Sequence, residues 1–209
     1  MVGRVGLTFD RVVLAAADLA DEMGFENVTM SAVARCFGVS DASLYAHVDG
    51  VGALRVGVAR LASGELGDRL AAALVDRVGK DALVAFALAY REFALRFPGR
   101  YMSLQGASSS VAGREPVEHW RVGEGEYVYA VLRAYGLVEP ELTDAVRLLS
   151  SALHGFAALE AMGGFSDPRD VRASWRQALE ALHVALVSMA AAAGRALPGS
   201  RGELPGRGG

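Results

Sequence analysis

The chain has 209 residues, of which 52% are apolar, and a formal net charge of -3. A high apolar fraction with so little net charge excludes a largely disordered chain and indicates one or two folded domains. Cys36 is the single cysteine, which excludes an internal disulfide framework and any multi-cysteine metal site. The apolar runs are far shorter than the roughly 20 residues of a membrane span, and no secretory signal opens the sequence. We therefore expect a cytoplasmic protein without membrane contact.

The distribution of apolar residues predicts an all-α fold. A period of about 3.6 residues recurs along nearly the whole chain, whereas the alternation typical of strands is almost absent. Capping residues and glycines mark the ends of about nine helices. The predicted helices cover residues 8–23, 30–37, 41–47, 51–75, 80–97, 101–105, 114–135, 140–162 and 168–193.

The second and third predicted helices form a helix-turn-helix pattern. They are short, they follow a longer helix, and a Gly38-Val39-Ser40 turn joins them. Gly38 permits the sharp turn, Val39 fills the angle between the helices, and Ser40 is expected to cap the helix that follows. The helix-turn-helix arrangement suits DNA binding because a major groove admits one helix, and that helix needs a second helix behind it as a support.

The run from Phe25 to Leu54 resembles the DNA-binding segment of the TetR family of transcriptional regulators. The matching features are a glycine after the first helix, Thr29, the segment Ala34–Ser40, Leu44-Tyr45, His47 and Leu54. The resemblance implies an N-terminal three-helix DNA-binding domain and a C-terminal helical domain that dimerises and binds a small molecule. We expect the boundaries to give a DNA-binding domain at 1–54, a ligand-binding and dimerisation domain at 55–194, and a glycine-rich flexible tail at 195–209.

The same resemblance assigns roles on the helix-turn-helix. Thr29 and Tyr45 are expected to contact phosphates. The residues expected to face the groove and to read base edges or nearby phosphates are Ser40, Asp41, Ala42, Ser43 and His47. Tyr45 also fits a structural role over the helix pair, and His47 also fits a plain surface position.

Two features depart from the family pattern. Val51 stands where the family usually has a lysine that meets a phosphate. Residues 1–60 carry five arginines against seven acidic residues, although a DNA-binding module is expected to present a basic footprint. Arg4, Arg11, Arg35 and Arg55 remain able to cluster on one face. The alternative function is therefore a TetR-like effector-binding dimer with little specific affinity for DNA.

An aromatic stripe marks the second domain. Phe86, Tyr90, Phe93 and Phe97 recur at helical spacing, which fits either a plain core or one wall of a ligand cavity. In the second interpretation, an unknown and largely apolar effector contacts Phe86, Tyr90, Phe93, Gln105, Trp120, Tyr127 and His154.

The segment Leu153-His154-Gly155-Phe156 partly resembles C-terminal domains of the family with a Trp-x-x-x-His-Gly pattern. Ser150 occupies the tryptophan position. Gly155 is expected to let a neighbouring helix approach closely, and His154 fits a hydrogen-bonded core position as well as a ligand contact.

The remaining patterns give no sign of an enzyme. The histidines are scattered, no nucleophile and base are clustered, and we expect neither a metal nor a cofactor. The last two predicted helices have the length and apolar content either of a dimer interface or of helices that complete the core of one protomer. A homodimer on a palindromic operator in double-stranded DNA is favoured, because a single helix in the groove makes too few contacts for specific binding. The long helix 51–75 would connect the two domains, and Gly57, Gly64 and Gly67 would permit either bending or close packing there.

Overall fold

The computed structural model describes residues 6–106 and 122–195. Within these ranges the chain is helical and contains no strand, which confirms the all-α prediction. The helices are α1 Phe9–Met23, α2 Met30–Phe37, α3 Asp41–Tyr45, α4 Gly50–Leu74, α5 Gly79–Arg96, α6 Pro98–Gly106, α7 Val122–Arg133, α8 Glu141–Ala161 and α9 Val171–Arg195, with a 3-10 turn at Phe25–Asn27.

Local signals set the ends of the first helices. The Thr29 hydroxyl accepts the Ala32 backbone N–H at 3.2 Å and caps α2. Gly38 ends α2 in the left-handed conformation, at φ +63°, which a glycine adopts without strain. Ser40 occupies the N-cap position of α3, as expected, but its side chain makes no capping hydrogen bond to that helix. The Ser40 hydroxyl lies 3.0 Å from the hydroxyl of Ser43 instead.

Several helix boundaries differ from the predictions. Helix α3 already ends at Tyr45. Helix α6 begins at Pro98, because a proline is tolerated in the first turn, where its missing N–H has no partner to lose. Helix α9 begins at Val171, where the Asp170 carboxylate accepts the backbone N–H groups of Arg172 and Ala173. The predicted helical residues 114–121 and the tail after Arg195 lie outside the described residues.

Two apolar cores are joined by α4. The N-terminal core packs α1, α2 and α3 against the first half of α4 and includes Leu54 and Val58. The larger core packs α5 to α9 against the second half of α4 and includes Leu66 and Leu70. Helix α4 therefore contributes buried residues to both bodies, as expected for a connecting helix.

Helices α8 and α9 carry an uncovered apolar surface. By length and composition, Val171–Gly194 is the one helix of the described ranges that is able to cross a membrane. One such helix is weak evidence for a membrane span. Only 17% of its apolar stretch is buried in the fold. The exposed apolar side chains on the two helices include Leu148, Leu159, Val184 and Val187, and Met162 directly after α8 is exposed as well. An apolar surface of this kind is typical of a protein interface.

The glycines of α4 differ in their surroundings. A β-carbon at Gly57 would lie 2.5 Å from Cγ2 of Val13 and 3.1 Å from Cζ of Phe9, so this glycine permits close packing of α4 on α1. A β-carbon at Gly64 would meet no atom within 4 Å in the described chain. The same holds at Gly155 of α8, so the expected close approach of a neighbouring helix is wrong within the described protomer.

Alanine substitutions at two glycines of α4 are expected to have opposite effects. Gly57→Ala should lower the free energy of unfolding by about 1–3 kcal/mol, because the new methyl group overpacks against Val13. Gly64→Ala should raise it by about 0.5–1 kcal/mol, because the methyl group is accommodated and alanine favours the helix. Urea unfolding followed by circular dichroism measures both. Equal stability of the two variants would contradict the packing role of Gly57.

Candidate nucleic-acid interface and effector site

The helix-turn-helix exposes the residues predicted to contact phosphates. Thr29 is exposed. Its hydroxyl oxygen accepts the Ala32 backbone N–H, so the hydroxyl proton is available to a phosphate oxygen. Tyr45 is 56% exposed beside the turn that leads into α4. Leu44 and Val48 are buried behind this surface and hold α3 against the N-terminal core.

The residues predicted to read bases lie along the same short segment. Those that are exposed are Ser40, Asp41, Ala42 and His47, whereas Ser43 is half-buried. The Oδ2 atom of Asp41 accepts a hydrogen bond from the Ser31 hydroxyl of α2, which favours one orientation of this carboxylate. The exposed side chains of the helix-turn-helix are therefore mostly polar, and a hydrogen bond between Ser31 and Asp41 links α2 to α3.

Two arginines of residues 1–60 are bonded to backbone and side-chain groups of the same segment. Arg11 donates to the Gly6 carbonyl oxygen at 2.6 Å, and its guanidinium lies 5.8 Å from the ring centre of Phe37. Arg55 donates to the Glu26 carbonyl oxygen at 2.9 Å and also forms an ion pair with the Glu26 carboxylate.

The remaining basic positions add little to a phosphate-binding surface. Arg35 is exposed in the last turn of α2, whereas Val51, 41% exposed, offers no charge at the start of α4. Arg4 lies outside the described residues. The basic footprint that the sequence left open is therefore sparse in the described part of the domain.

A chain of hydrogen bonds crosses the second core. The Tyr90 hydroxyl on α5 lies 2.9 Å from the Tyr101 hydroxyl on α6, which is hydrogen-bonded in turn to Nδ1 of His154 on α8. Tyr90 and Tyr101 are buried, and His154 is half-buried. Tyr101 was missed in the sequence because it lies on the short helix after Pro98-Gly99, off the aromatic stripe. These hydrogen bonds bring three polar groups together within an apolar core, an arrangement that is common in ligand sites.

The other predicted effector residues are less closely grouped. Phe86 stacks on Tyr90 and Phe93 packs on Phe97, and both phenylalanines are buried in the core. Gln105 and Tyr127 are half-buried, and Trp120 lies outside the described residues.

Two further polar pairs lie away from this chain of hydrogen bonds. Glu160 is hydrogen-bonded by two nitrogens of the Arg91 guanidinium, which lies over the ring of Trp175. The Tyr135 hydroxyl lies 2.9 Å from Nδ1 of His183, and burial raises the pKa of this tyrosine above its ordinary value. Among residues 6–106 and 122–195, no group of three or more histidine, cysteine or acidic side chains is placed to hold a metal ion.

The first turn of α6 is hydrogen-bonded and ion-paired to α1 of the N-terminal core. The Asp21 carboxylate of α1 accepts both the backbone N–H of Arg100, at 2.9 Å, and the guanidinium of the same residue. Asp18 of α1 and Glu65 of α4 complete the ring of carboxylates, at 2.8 and 3.1 Å from the guanidinium. The Glu65 contact is an ion pair without hydrogen-bond geometry.

The charges around Arg100 outweigh its burial. Burial by itself lowers the pKa of this guanidinium, but the hydrogen bonds and charges of Asp18, Asp21 and Glu65 raise it above its ordinary value. Gly99 makes the approach possible, because a β-carbon there would lie 2.0 Å from the backbone carbon of Ala20. Helix α6 thus lies directly on the backbone of α1.

Comparison with known proteins agrees with this architecture. Residues 12–47 match the model of the bacterial regulatory proteins of the tetR family, and residues 83–182 match a tetracyclin repressor-like C-terminal domain. The chain is 31% identical to the HTH-type transcriptional regulator YobS of Bacillus subtilis, over 82% of this chain and 88% of that protein. It is 32% identical to the regulator Rv0681 of Mycobacterium tuberculosis, over 77% and 73% of the two chains.

Solved structures share the fold. BioQ with its natural double-stranded DNA operator superimposes with a TM-score of 0.60 at 20% identity, over 88% of this chain and 99% of that one. Streptomyces coelicolor ActR in complex with (S)-DNPA gives the same TM-score and identity, over 87% and 98% of the chains. The two family models and the related regulators of Bacillus subtilis and Mycobacterium tuberculosis define a helix-turn-helix transcriptional regulator. The chain belongs to the TetR family.

Replacing Arg100 with a neutral side chain is expected to loosen α6 from α1. Arg100→Met leaves three neighbouring carboxylates without their shared cation, so the free energy of unfolding should fall by about 3–5 kcal/mol. Chemical denaturation measures the loss, and Arg147→Met, which removes an exposed i,i+3 pair with Asp144, serves as the control with a change below about 1 kcal/mol. Similar stability of the two variants would contradict a structural role for the Arg100 cluster.

Proposed function

We propose that the protein is a homodimeric repressor that binds a palindromic operator and leaves it when a small molecule binds. The exposed polar surface of α2 and α3, supported from behind by Leu44 and Val48, carries this proposal. BioQ and ActR support it as relatives in fold, one with operator DNA and the other with a small molecule. Thr29 and Tyr45 would contact phosphates, and Ser40, Asp41, Ala42, Ser43 and His47 would enter the major groove.

A homodimer follows from the geometry of DNA reading. The helix that would enter the major groove, α3, is called the reading helix below. One short reading helix makes few base contacts, whereas two reading helices related by a two-fold axis read half-sites roughly 34–36 Å apart. The exposed apolar side chains of α8 and α9, together with the open space at Gly155, offer a surface for the second copy. Two helices from each protomer would then form a four-helix interface.

The effector is proposed to act through α6. Arg100 and Tyr101 are consecutive residues of this helix, and the first is bonded to α1 while the second is bonded to His154. A largely apolar molecule with one polar group, placed among Tyr90, Tyr101 and His154, would replace one of these hydrogen bonds and shift α6. Because α6 lies on the backbone of α1, the shift would change the spacing of the two reading helices. A coupling free energy of about 1–3 kcal/mol is typical of such a response.

The proposed division of labour keeps the boundaries expected from the sequence. Residues 1–54 would bind DNA and residues 55–194 would bind the effector and the second copy. The expected tail at 195–209 begins with the last residue of α9 and otherwise lies outside the described residues. Among the predicted effector residues, Phe86, Phe93, Gln105 and Tyr127 would complete the walls around these three polar groups, and Trp120 lies outside the described residues. A regulator of this kind works where the DNA is, so we infer a cytoplasmic location.

Fluorescence anisotropy on a labelled fragment from the upstream region of the gene tests DNA binding. We expect saturable binding that survives excess unrelated DNA and weakens with salt. Tyr45→Phe should lower the affinity about 3- to 10-fold, because one hydrogen bond to a phosphate is lost. Tyr129→Phe, which removes a hydroxyl from α7, is the control and should bind like the wild type.

The same assay tests release and distinguishes the alternative function. A compound that releases the wild type should have a smaller effect on Tyr101→Phe. Without the compound this variant should already bind DNA more weakly than the wild type, because it lacks the hydrogen bonds whose replacement is proposed to shift α6. If the wild-type protein does not bind the fragment at low salt, the alternative of an effector-binding dimer with little DNA affinity is favoured. The internally engaged Arg11 and Arg55 are the observation that favours this alternative.

A charge on the exposed face of α9 is expected to separate the dimer. Val184 is 65% exposed, and Val184→Asp would bury a carboxylate at the proposed interface. Light scattering after size exclusion should give the mass of a dimer for the wild type and of a monomer for this variant. Val75→Asp, at a 64% exposed valine after α4, is the matched control and should stay dimeric. A wild-type monomer would refute the proposal.

A further inference from the structure

Asp41 is a carboxylate on the reading helix without a cation partner among the described residues. It is exposed at the first position of α3, and its Oδ2 accepts the Ser31 hydroxyl. No other hydrogen bond to Asp41 occurs within the described chain, so Oδ1 is available to a donor outside the protein. The following inference rests on the proposed function, in which this surface enters the major groove.

Electrostatics restrict what such a carboxylate meets on DNA. The phosphates repel it, so its presence lowers affinity unless a base donates a hydrogen bond to it. The donors in the major groove are the amino groups of cytosine and adenine. Adenine presents its N7 acceptor beside the amino group, which repels a carboxylate, whereas cytosine presents the amino donor without an adjacent acceptor. A carboxylate at this position therefore favours cytosine.

The contact with Ser31 gives this carboxylate a fixed position. A side chain that reads a base must be held in place, since a freely rotating carboxylate would lose much of its preference to conformational entropy. The Ser31 hydroxyl donates to Asp41, so its proton is not available to a phosphate oxygen. Ser31 thus acts on the DNA through Asp41.

We propose that Asp41 selects a cytosine at one position of each operator half-site and that Ser31 positions its carboxylate for this contact. Asp41 is the specificity-determining residue, and Ser31 is a positioning residue. The proposal adds a base identity to the proposed function: one C·G pair in each half-site, whose cytosine amino group would donate to Asp41.

Selection of bound sequences from a randomised double-stranded DNA library tests the proposal with the full-length protein. The wild type should enrich a palindromic motif with cytosine at one position of each half-site. In Asp41→Asn the preference for cytosine at that position should fall about tenfold and turn towards adenine, because an amide donates and accepts like the adenine edge. The other positions of the motif should not change.

Asp49→Asn is the matched control for charge. Asp49 is an exposed aspartate in the turn between α3 and α4, so its replacement removes the same negative charge near the DNA. This variant should bind all sequences somewhat more tightly and keep the wild-type motif. Ser31→Ala should weaken the cytosine preference without replacing it by adenine, and it keeps the proposal testable if Asp41→Asn does not fold.

The outcomes separate this inference from the proposed function. A wild-type motif that Asp41→Asn and Ser31→Ala leave unchanged would show that the Ser31–Asp41 pair only clamps α2 to α3, and would overturn the inference alone. A uniform gain in affinity for Asp41→Asn, equal to that of Asp49→Asn, would do the same. Enrichment of no motif by the wild type would instead refute the proposed function.

Discussion

The contact between Asp21 of α1 and the first turn of α6 is the constraint on which the arrangement of the two bodies depends. One carboxylate accepts the backbone N–H and the guanidinium of Arg100, so it caps α6 and pairs its charge at the same time. Gly99 lets the two backbones touch. Because Asp18 and Glu65 share the same guanidinium, loss of this single cation would leave a cluster of like charges.

The Arg100 contact offsets one negative charge of the N-terminal segment. Asp18 and Asp21 share this arginine, which lies far along the chain, with Glu65 of α4, and Glu26 is paired with Arg55. A charge count over residues 1–60 leaves Arg100 out and therefore overstates the net negative charge of this segment by one. The count also overstates the available cations, since Arg11 and Arg55 are held by their own domain.

The helical fold and the position of the helix-turn-helix were predictable because both follow from local rules. Apolar periodicity set the helix faces, Thr29 and Gly38 set the limits of α2, and the spacing of the two short helices gave the motif. Predictions failed where a tertiary partner or a local detail decides the outcome. The hydroxyl of Ser40, which precedes α3 as expected, lies beside the Ser43 hydroxyl instead of bonding the first turn, and Pro98 opens α6 rather than preceding it.

The sequence by itself determined the class of fold, the family and the segment expected to meet DNA, since these depend on patterns within some 50 residues. Only the tertiary structure decided which side chains act together. Tyr90, Tyr101 and His154 come from three helices, and Asp21 and Arg100 are far apart along the chain. No periodicity encodes such pairs, because hydrogen bonds and ion pairs between helices depend on how the helices pack, which many distant residues fix together.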